Sequence, residues 1–150
     1  MQPSEHIDLF YRAFQRRDGA TMASCYTPDT TFRDPVFALQ GERVGAMWRM
    51  LCERGKDLRV EFSDVRADGD RGSAQWQAWY RFSKSGRPVH NLIHAEFRFR
   101  DGLICEHVDS FDFWRWSRQA LGPTGLLLGW SGWLRNKVGS EAARSLAAFR

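Results

Sequence analysis

Residues 93–104 read Ile93-His94-Ala95-Glu96-Phe97-Arg98-Phe99-Arg100-Asp101-Gly102-Leu103-Ile104. Ile93, Ala95, Phe97 and Phe99 alternate with His94, Glu96, Arg98 and Arg100, the period of a strand with one buried face. Asp101-Gly102 suits the left-handed backbone of a tight hairpin, so a second strand, Leu103–Phe113, returns antiparallel. Upstream the same period runs through Ser73–Ser83, with Trp76, Ala78, Tyr80 and Phe82 on one face, and through Arg59–Arg66. Asp68-Gly69-Asp70-Arg71-Gly72 and Lys84-Ser85-Gly86-Arg87-Pro88 are turns by composition. Four long strands joined by short turns make an antiparallel meander.

Before Leu58 the period is 3.6 residues. Ser4 is a candidate N-cap, and Ile7, Phe10, Tyr11 and Phe14 form one stripe of a first helix that Asp18-Gly19 ends. A short second helix, Ala20–Tyr26, leads into a turn at Thr27-Pro28-Asp29. Thr31–Phe37 reads as an extended segment that Pro35 confines to an edge or a bend. Gly41 opens a third helix with Val44, Met47, Trp48, Leu51 and Cys52 on one face, and Gly55 is its C-cap. Helices segregated from an antiparallel sheet make an α+β domain. A sheet curled around the first helix leaves a conical hollow.

The 150 residues suit one core. Apolar residues make up 43% and aromatics 14%, enough to fill that core and line a cavity as well. The net charge of +4 comes from scattered Lys and Arg with no basic run, so no nucleic-acid partner is expected. Cys25, Cys52 and Cys105 are far apart and outside any CxxC pair, which fits reduced thiols. Met1-Gln2-Pro3-Ser4-Glu5 is polar and acidic rather than a secretory leader, so the expected location is cytoplasmic.

Acids isolated in apolar segments point to a site, because a carboxylate on the inside of an apolar cone is costly to keep. Asp34 precedes proline, which holds its backbone extended. Its side chain either points inward as a base or caps the following turn. On the last strand, strict alternation puts Cys105, His107, Asp109 and Phe111 on one face and Ile104, Val108 and Asp112 on the other. His107 and Asp109 therefore share a side, their backbones roughly 7 Å apart. Either the pair shuttles protons with Asp34, or His107 is a satisfied core residue and Asp109 a structural acceptor. The expected catalytic set is Asp34, Asp109 and His107. The expected wall of the ligand pocket is Tyr11, Phe14, Phe32, Trp48, Trp76, Tyr80, Phe97 and Phe111, with Tyr11 or Tyr80 as a hydrogen-bond donor. His90 and His94 lie four apart on a strand, about 13 Å, too far to share a metal. No metal and no cofactor are expected.

The succession of helix, short helix ending at Tyr26-Thr27-Pro28-Asp29, Thr31-Phe32-Arg33-Asp34-Pro35-Val36, helix, and four strands closing at Asp101-Gly102-Leu103-Ile104 resembles the NTF2-like superfamily, in its SnoaL-like and ketosteroid isomerase-like branches. The resemblance covers residues 5–122 and implies an α+β cone of the cystatin-like kind. It implies an NTF2-like domain over residues 1–122; residues 123–150 are longer than the family core requires, and they are expected, from their own composition, to form a helical extension packed on the domain or on a dimer partner. It also implies a homodimer through the outer sheet face, a small apolar ligand, and cofactor-free isomerase, cyclase or dehydratase chemistry. The alternative is a non-catalytic ligand-binding or protein-interaction module. Asp34 stands where ketosteroid isomerases place their base, and Asp109 where the cyclases and epoxide hydrolases place an acid–base Asp. The isomerases' oxyanion-hole Tyr and Asp fall at Phe10 and Ala95, which argues against steroid isomerisation. The hydrolases' Arg-x-Asp falls on Trp79-Tyr80-Arg81, which argues against epoxide hydrolysis.

The tail from Leu126 to Val138, with Trp130, Trp133 and Leu134, is too apolar to hang in water. It covers the pocket mouth, swaps into a partner, or lies on a membrane surface with Arg135, Lys137 and Arg144 outward. Gly129 and Gly132 interrupt any continuous membrane helix, so packing on protein is expected rather than a membrane partner.

Overall fold

The computed structural model describes residues 2–129 and 131–149. Its element order is α1 (Pro3–Gln15), α2 (Gly19–Ser24), β1 (Tyr26–Arg33), β2 (Ala38–Gln40), α3 (Glu42–Arg54), β3 (Arg59–Asp68), β4 (Arg71–Arg81), β5 (Pro88–Arg100), β6 (Leu103–Ser110), α4 (Phe113–Leu121), α5 (Pro123–Leu128) and α6 (Gly132–Ala148). The strands form one six-stranded curved sheet in the order β2-β1-β6-β5-β4-β3. The β3–β6 meander is antiparallel, whereas β1 lies parallel to β6. The architecture is the expected α+β cone.

Four local expectations change. The first helix starts at Pro3 rather than after Ser4, because proline is suited to a first helical turn that needs no N–H from it. Thr27-Pro28-Asp29 belongs to β1 rather than to a turn, and an irregularity between Tyr26 and Thr31 in the pairing with β6 accommodates the proline. The last strand stops at Ser110, because Asp112 caps α4 by accepting from Arg115 N–H at 3.1 Å. Along β6 the alternation is broken once. Phe99 pairs with Ile104 and Arg98 with Glu106, so Cys105 is a bulged residue. Ile104 therefore points into the core with no exposure, while Cys105 turns out and donates weakly to Arg98 O at 3.4 Å. Beyond the bulge, His107 and Asp109 are inward.

The core is aromatic. Phe10, on the inner stripe of α1, meets Tyr11, Tyr26, Trp48, Phe97 and His107 edge-on, at centroid distances of 5.1 to 6.2 Å. Edge-to-face contacts of this kind add to the burial energy. A second, smaller cluster joins Val89, Phe113, Trp116, Ala120 and Leu134, seating α4 and the start of α6 against β5. Leu146, near the end of α6, enters the main core. Gly125 lets α5 lie directly on α4, since a Cβ there would meet Ser117 O at 1.9 Å.

Because Phe10 joins α1 to four other elements of the core, through Tyr26, Trp48, Phe97 and His107, Phe10→Ala is expected to lower the unfolding free energy by about 3–5 kcal/mol in urea denaturation, and Phe10→Leu by much less.

Candidate active site

An apolar cavity between the helices and the sheet has a volume of about 590 Å³, within the range that holds small organic ligands. Phe14 of α1, Trp48 and Leu51 of α3, Trp76 and Tyr80 of β4, Ile93 of β5, Phe111 and Trp116 form its apolar wall. Asp34 and Asp109 both line it, from the same end of the parallel β1–β6 pair, one residue beyond the Arg33–Val108 pairing. One face of α6 closes it with Trp133, Leu134, Lys137, Val138, Glu141 and Ala142, spaced as pairs one turn apart. Glu141 also pairs with Lys84 of the β4–β5 turn at 2.9 Å. That helical face mixes Lys, Glu and aliphatic side chains, so it gives no apolar stripe to read from the sequence. Trp130 lies outside the described residues.

Asp34 has both roles left open by its sequence. Its Oδ1 accepts from Val36 N–H at 2.7 Å and Phe37 N–H at 2.6 Å, fixing the turn between β1 and β2. Its Oδ2 has no hydrogen-bond partner among the described residues. The residue is half-buried, and its accessible part faces the cavity. Burial pushes its pKa up to about 7, against the two backbone N–H groups that favour the charged form, and the charge of Asp109 pushes the same way as burial.

Asp109 ends a buried chain of hydrogen bonds. Trp48 Nε1 donates to Tyr26 Oη at 2.8 Å, Tyr26 Oη is 2.8 Å from His107 Nδ1, and His107 Nε2 is 2.8 Å from Asp109 Oδ1. Indole can only donate. Tyr26 Oη therefore spends its own proton on His107 Nδ1, which leaves Nε2–H to donate to Asp109. The reverse polarity would strand the Tyr26 proton in the core, a costly arrangement. The direction of all four groups thus follows from one indole, and the chain ends by offering an N–H to Asp109 Oδ1. Asp109 is 3% exposed and His107 wholly buried. Asp109 Oδ2 has no partner among the described residues and is not sealed in the protein.

The third polar group is Tyr80. Its hydroxyl accepts from Trp116 Nε1 at 2.7 Å, and its proton has no acceptor among the described residues. Burial raises its pKa, so it stays a donor at neutral pH.

Of the residues expected at the site, Asp34, Asp109, Phe14, Trp48, Trp76, Tyr80 and Phe111 meet at this one cavity. The other four, His107, Phe32, Phe97 and Tyr11, do not line it. His107 stands behind Asp109 and is packed on all sides by Phe10, Phe32, Trp48 and Phe97. Phe32 and Phe97 bracket His107 because the register places both opposite it on the neighbouring strands. Tyr11 sits behind Trp76 with ring centroids 6.0 Å apart, and its hydroxyl, like Trp76 Nε1, is buried without a partner among the described residues. Tyr80 alone of the two candidate tyrosines faces the cavity. The four-residue relay and the Trp116–Tyr80 pair were not legible in the sequence, since Trp48 and Tyr26 are ordinary core residues by pattern. His90 stacks on Trp79 at 4.6 Å, and no three metal-binding side chains cluster among the described residues.

With this geometry in place, comparison with known proteins decides the family. Residues 7–107 match the model of the SnoaL-like domain. The chain belongs to the SnoaL-like family. The matched span contains Asp34 and His107 and stops two residues short of Asp109. Solved structures with the same fold include an NTF2-like protein of Burkholderia pseudomallei, at 17% identity and a TM-score of 0.68 over 81% of this chain and 99% of that one. A Catenulispora acidiphila protein with a ketosteroid isomerase-like fold aligns at 13% identity and a TM-score of 0.68, over 80% and 94%. IdmH from Streptomyces antibioticus, a proposed polyketide cyclase, aligns at 24% identity and a TM-score of 0.64, over 79% and 98%. No curated protein matches significantly in sequence. The NTF2-like fold is thereby established.

The site makes a prediction that needs no substrate. An ordinary aspartate titrates at 3.8, and Asp34 in the folded protein at about 7. Between those values the folded state keeps a proton that the unfolded chain has lost, so this group's contribution to stability falls as pH rises through the window. Urea denaturation across pH 4 to 7 is expected to give a flatter stability profile in Asp34→Asn than in the wild type. Identical slopes would contradict the raised pKa.

Proposed function

We propose that this SnoaL-like protein binds a small, ring-containing, largely apolar ketone or enol in the cavity and moves a proton on it, in an isomerisation or cyclisation. The observation that carries the reading is the convergence of two carboxyl groups on one apolar cavity, where burial pushes the Asp34 pKa up to about 7. A carboxyl balanced between its two protonation states at working pH is suited to general base and general acid in turn.

The ligand's carbonyl oxygen accepts from Tyr80 O–H. Asp34 Oδ2 takes a proton from the carbon next to that carbonyl, and the C–H electron pair becomes the enolate. Tyr80 stabilises the oxyanion, which a buried donor does strongly because no water competes. Asp34, now protonated, returns the proton to a second carbon, and the proton count closes with no other reagent. Asp109 keeps its negative charge beside Asp34, sustaining its basicity, and His107 positions Asp109 without touching the ligand. The resemblance to IdmH supports a carbocyclic or polyketide-like body for the ligand.

The test begins with a thermal-shift panel of aromatic and alicyclic ketones, followed by deuterium exchange at the carbon next to the carbonyl of each binder. Asp34→Asn is expected to retain binding and lower exchange by about 10²–10⁴-fold. Tyr80→Phe is expected to lower it by about 10²–10³-fold. The wild-type rate should rise with pH to a plateau beyond about 7, because the ionised Asp34 is the base. Full exchange activity in Asp34→Asn would overturn the assignment. Binding with no exchange in the wild type would leave a non-catalytic binding module.

A further inference from the structure

Six large apolar side chains are exposed among the described residues, and four of them fall within eight positions: Leu126 at 54%, Leu127 at 69%, Leu128 at 37% and Trp133 at 61%. A fifth, Leu51, faces Trp133's cavity from α3. Exposed apolar patches of this kind mark contact surfaces. This one is displayed on a fixed support. α5 lies on α4 through Gly125 and Gly129, both against Ser117, and Trp114 Nε1 donates to Leu126 O at 3.2 Å.

The charge around the patch is mostly positive, with Glu141, one turn beyond Lys137 and paired with Lys84 at 2.9 Å, as the neighbouring acid. Residues 113–140 contain Arg115, Arg118, Arg135 and Lys137 and no Asp or Glu, so this segment alone carries the chain's whole net charge of +4. The cations lie along aromatic rings at the margin: Arg118 over Trp114 at 4.4 Å, Arg135 over Phe113 at 5.5 Å and Lys137 over Trp133 at 5.4 Å. Long basic side chains that run along apolar surface and end in charge match the boundary between acyl chains and headgroups. A second copy docked patch to patch would bring Arg118, Arg135 and Lys137 against the same three cations, which disfavours self-association.

We infer that α5 and the start of α6 dock on an anionic lipid surface, with the cavity mouth toward the bilayer. Apolar side chains enter the interface, and Arg118, Arg135 and Lys137 meet lipid phosphates. The glycines that argue against a membrane helix in the sequence are no obstacle here, since docking needs a displayed surface rather than a span. No helix among the described residues is long and apolar enough to cross a membrane. Trp133 and Lys137 belong both to the patch and to the cavity wall, which gives an apolar ligand a route from lipid into the cavity. That last clause rests on the proposed function, whereas the docking does not.

Co-sedimentation of the full chain with sucrose-loaded vesicles tests the inference. The wild type is expected to pellet with phosphatidylcholine vesicles containing phosphatidylglycerol, to pellet little with phosphatidylcholine alone, and to be released by high salt. The double change Leu126→Ser with Leu127→Ser, outside the cavity wall, should weaken partition about tenfold or more. Arg118→Glu with Arg135→Glu should abolish the preference for anionic vesicles. Asp34→Asn should bind vesicles like the wild type, which separates this surface from the chemistry inside. Wild type that stays in the supernatant with anionic vesicles overturns the inference without recourse to any variant. So does binding insensitive to salt and to both double changes, or lipid-free dimerisation that the leucine changes remove.

Discussion

The site depends on a one-way chain of donors. Trp48 has a single N–H and nothing with which to accept, and that orients the Tyr26 hydroxyl, the His107 tautomer and the donor offered to Asp109 in turn. A buried carboxylate is tolerated only when its charge is met by a hydrogen bond, and here the bond comes from a neutral imidazole held in one tautomer. The cost of burying Tyr26 and His107 is offset by their full use as partners. The result is a carboxylate whose second oxygen is left for the cavity, next to an Asp34 that burial and this charge push up to about 7.

The fold supplies the two ends of that arrangement. The parallel pairing of β1 with β6 sets Phe32 opposite His107 and brings the turn after β1 to the level of Asp109. The bulge at Cys105 turns the rest of β6 by one residue, so that Ile104, His107 and Asp109 all face inward. Without the bulge, an inward Ile104 would place His107 and Asp109 on the outer face.

Much of this was legible in the residues. Alternation in 93–100, the Asp101-Gly102 turn and the 3.6 period of α1 and α3 specify the sheet and the helices that fill it. The two acids stood out because they interrupt apolar strands. Other features were not legible, for physical reasons. Pairing of β1 with β6 joins residues far apart in sequence and leaves no periodic trace. A bulge is a local break in hydrogen bonding that composition does not announce. The cavity-facing side of α6 carries Lys137 and Glu141, charges that look solvated until Lys84 is seen to hold Glu141 over the mouth. Likewise, the exposure of Leu126 and Trp133 emerges only once α5 is laid on α4 by the glycines that a sequence reading takes for interruptions.

The central claim is that Asp109 is an anion aimed at the same space as Asp34. It is tested most directly by following the Asp34 side-chain carboxyl carbon by NMR as pH is varied, in the wild type and in Asp109→Asn. The account requires a wild-type midpoint near 7 and a lower midpoint in the variant, because the neighbouring negative charge is gone while the burial remains. A wild-type midpoint at the ordinary 3.8, or one that does not move when Asp109 is neutralised, would contradict it.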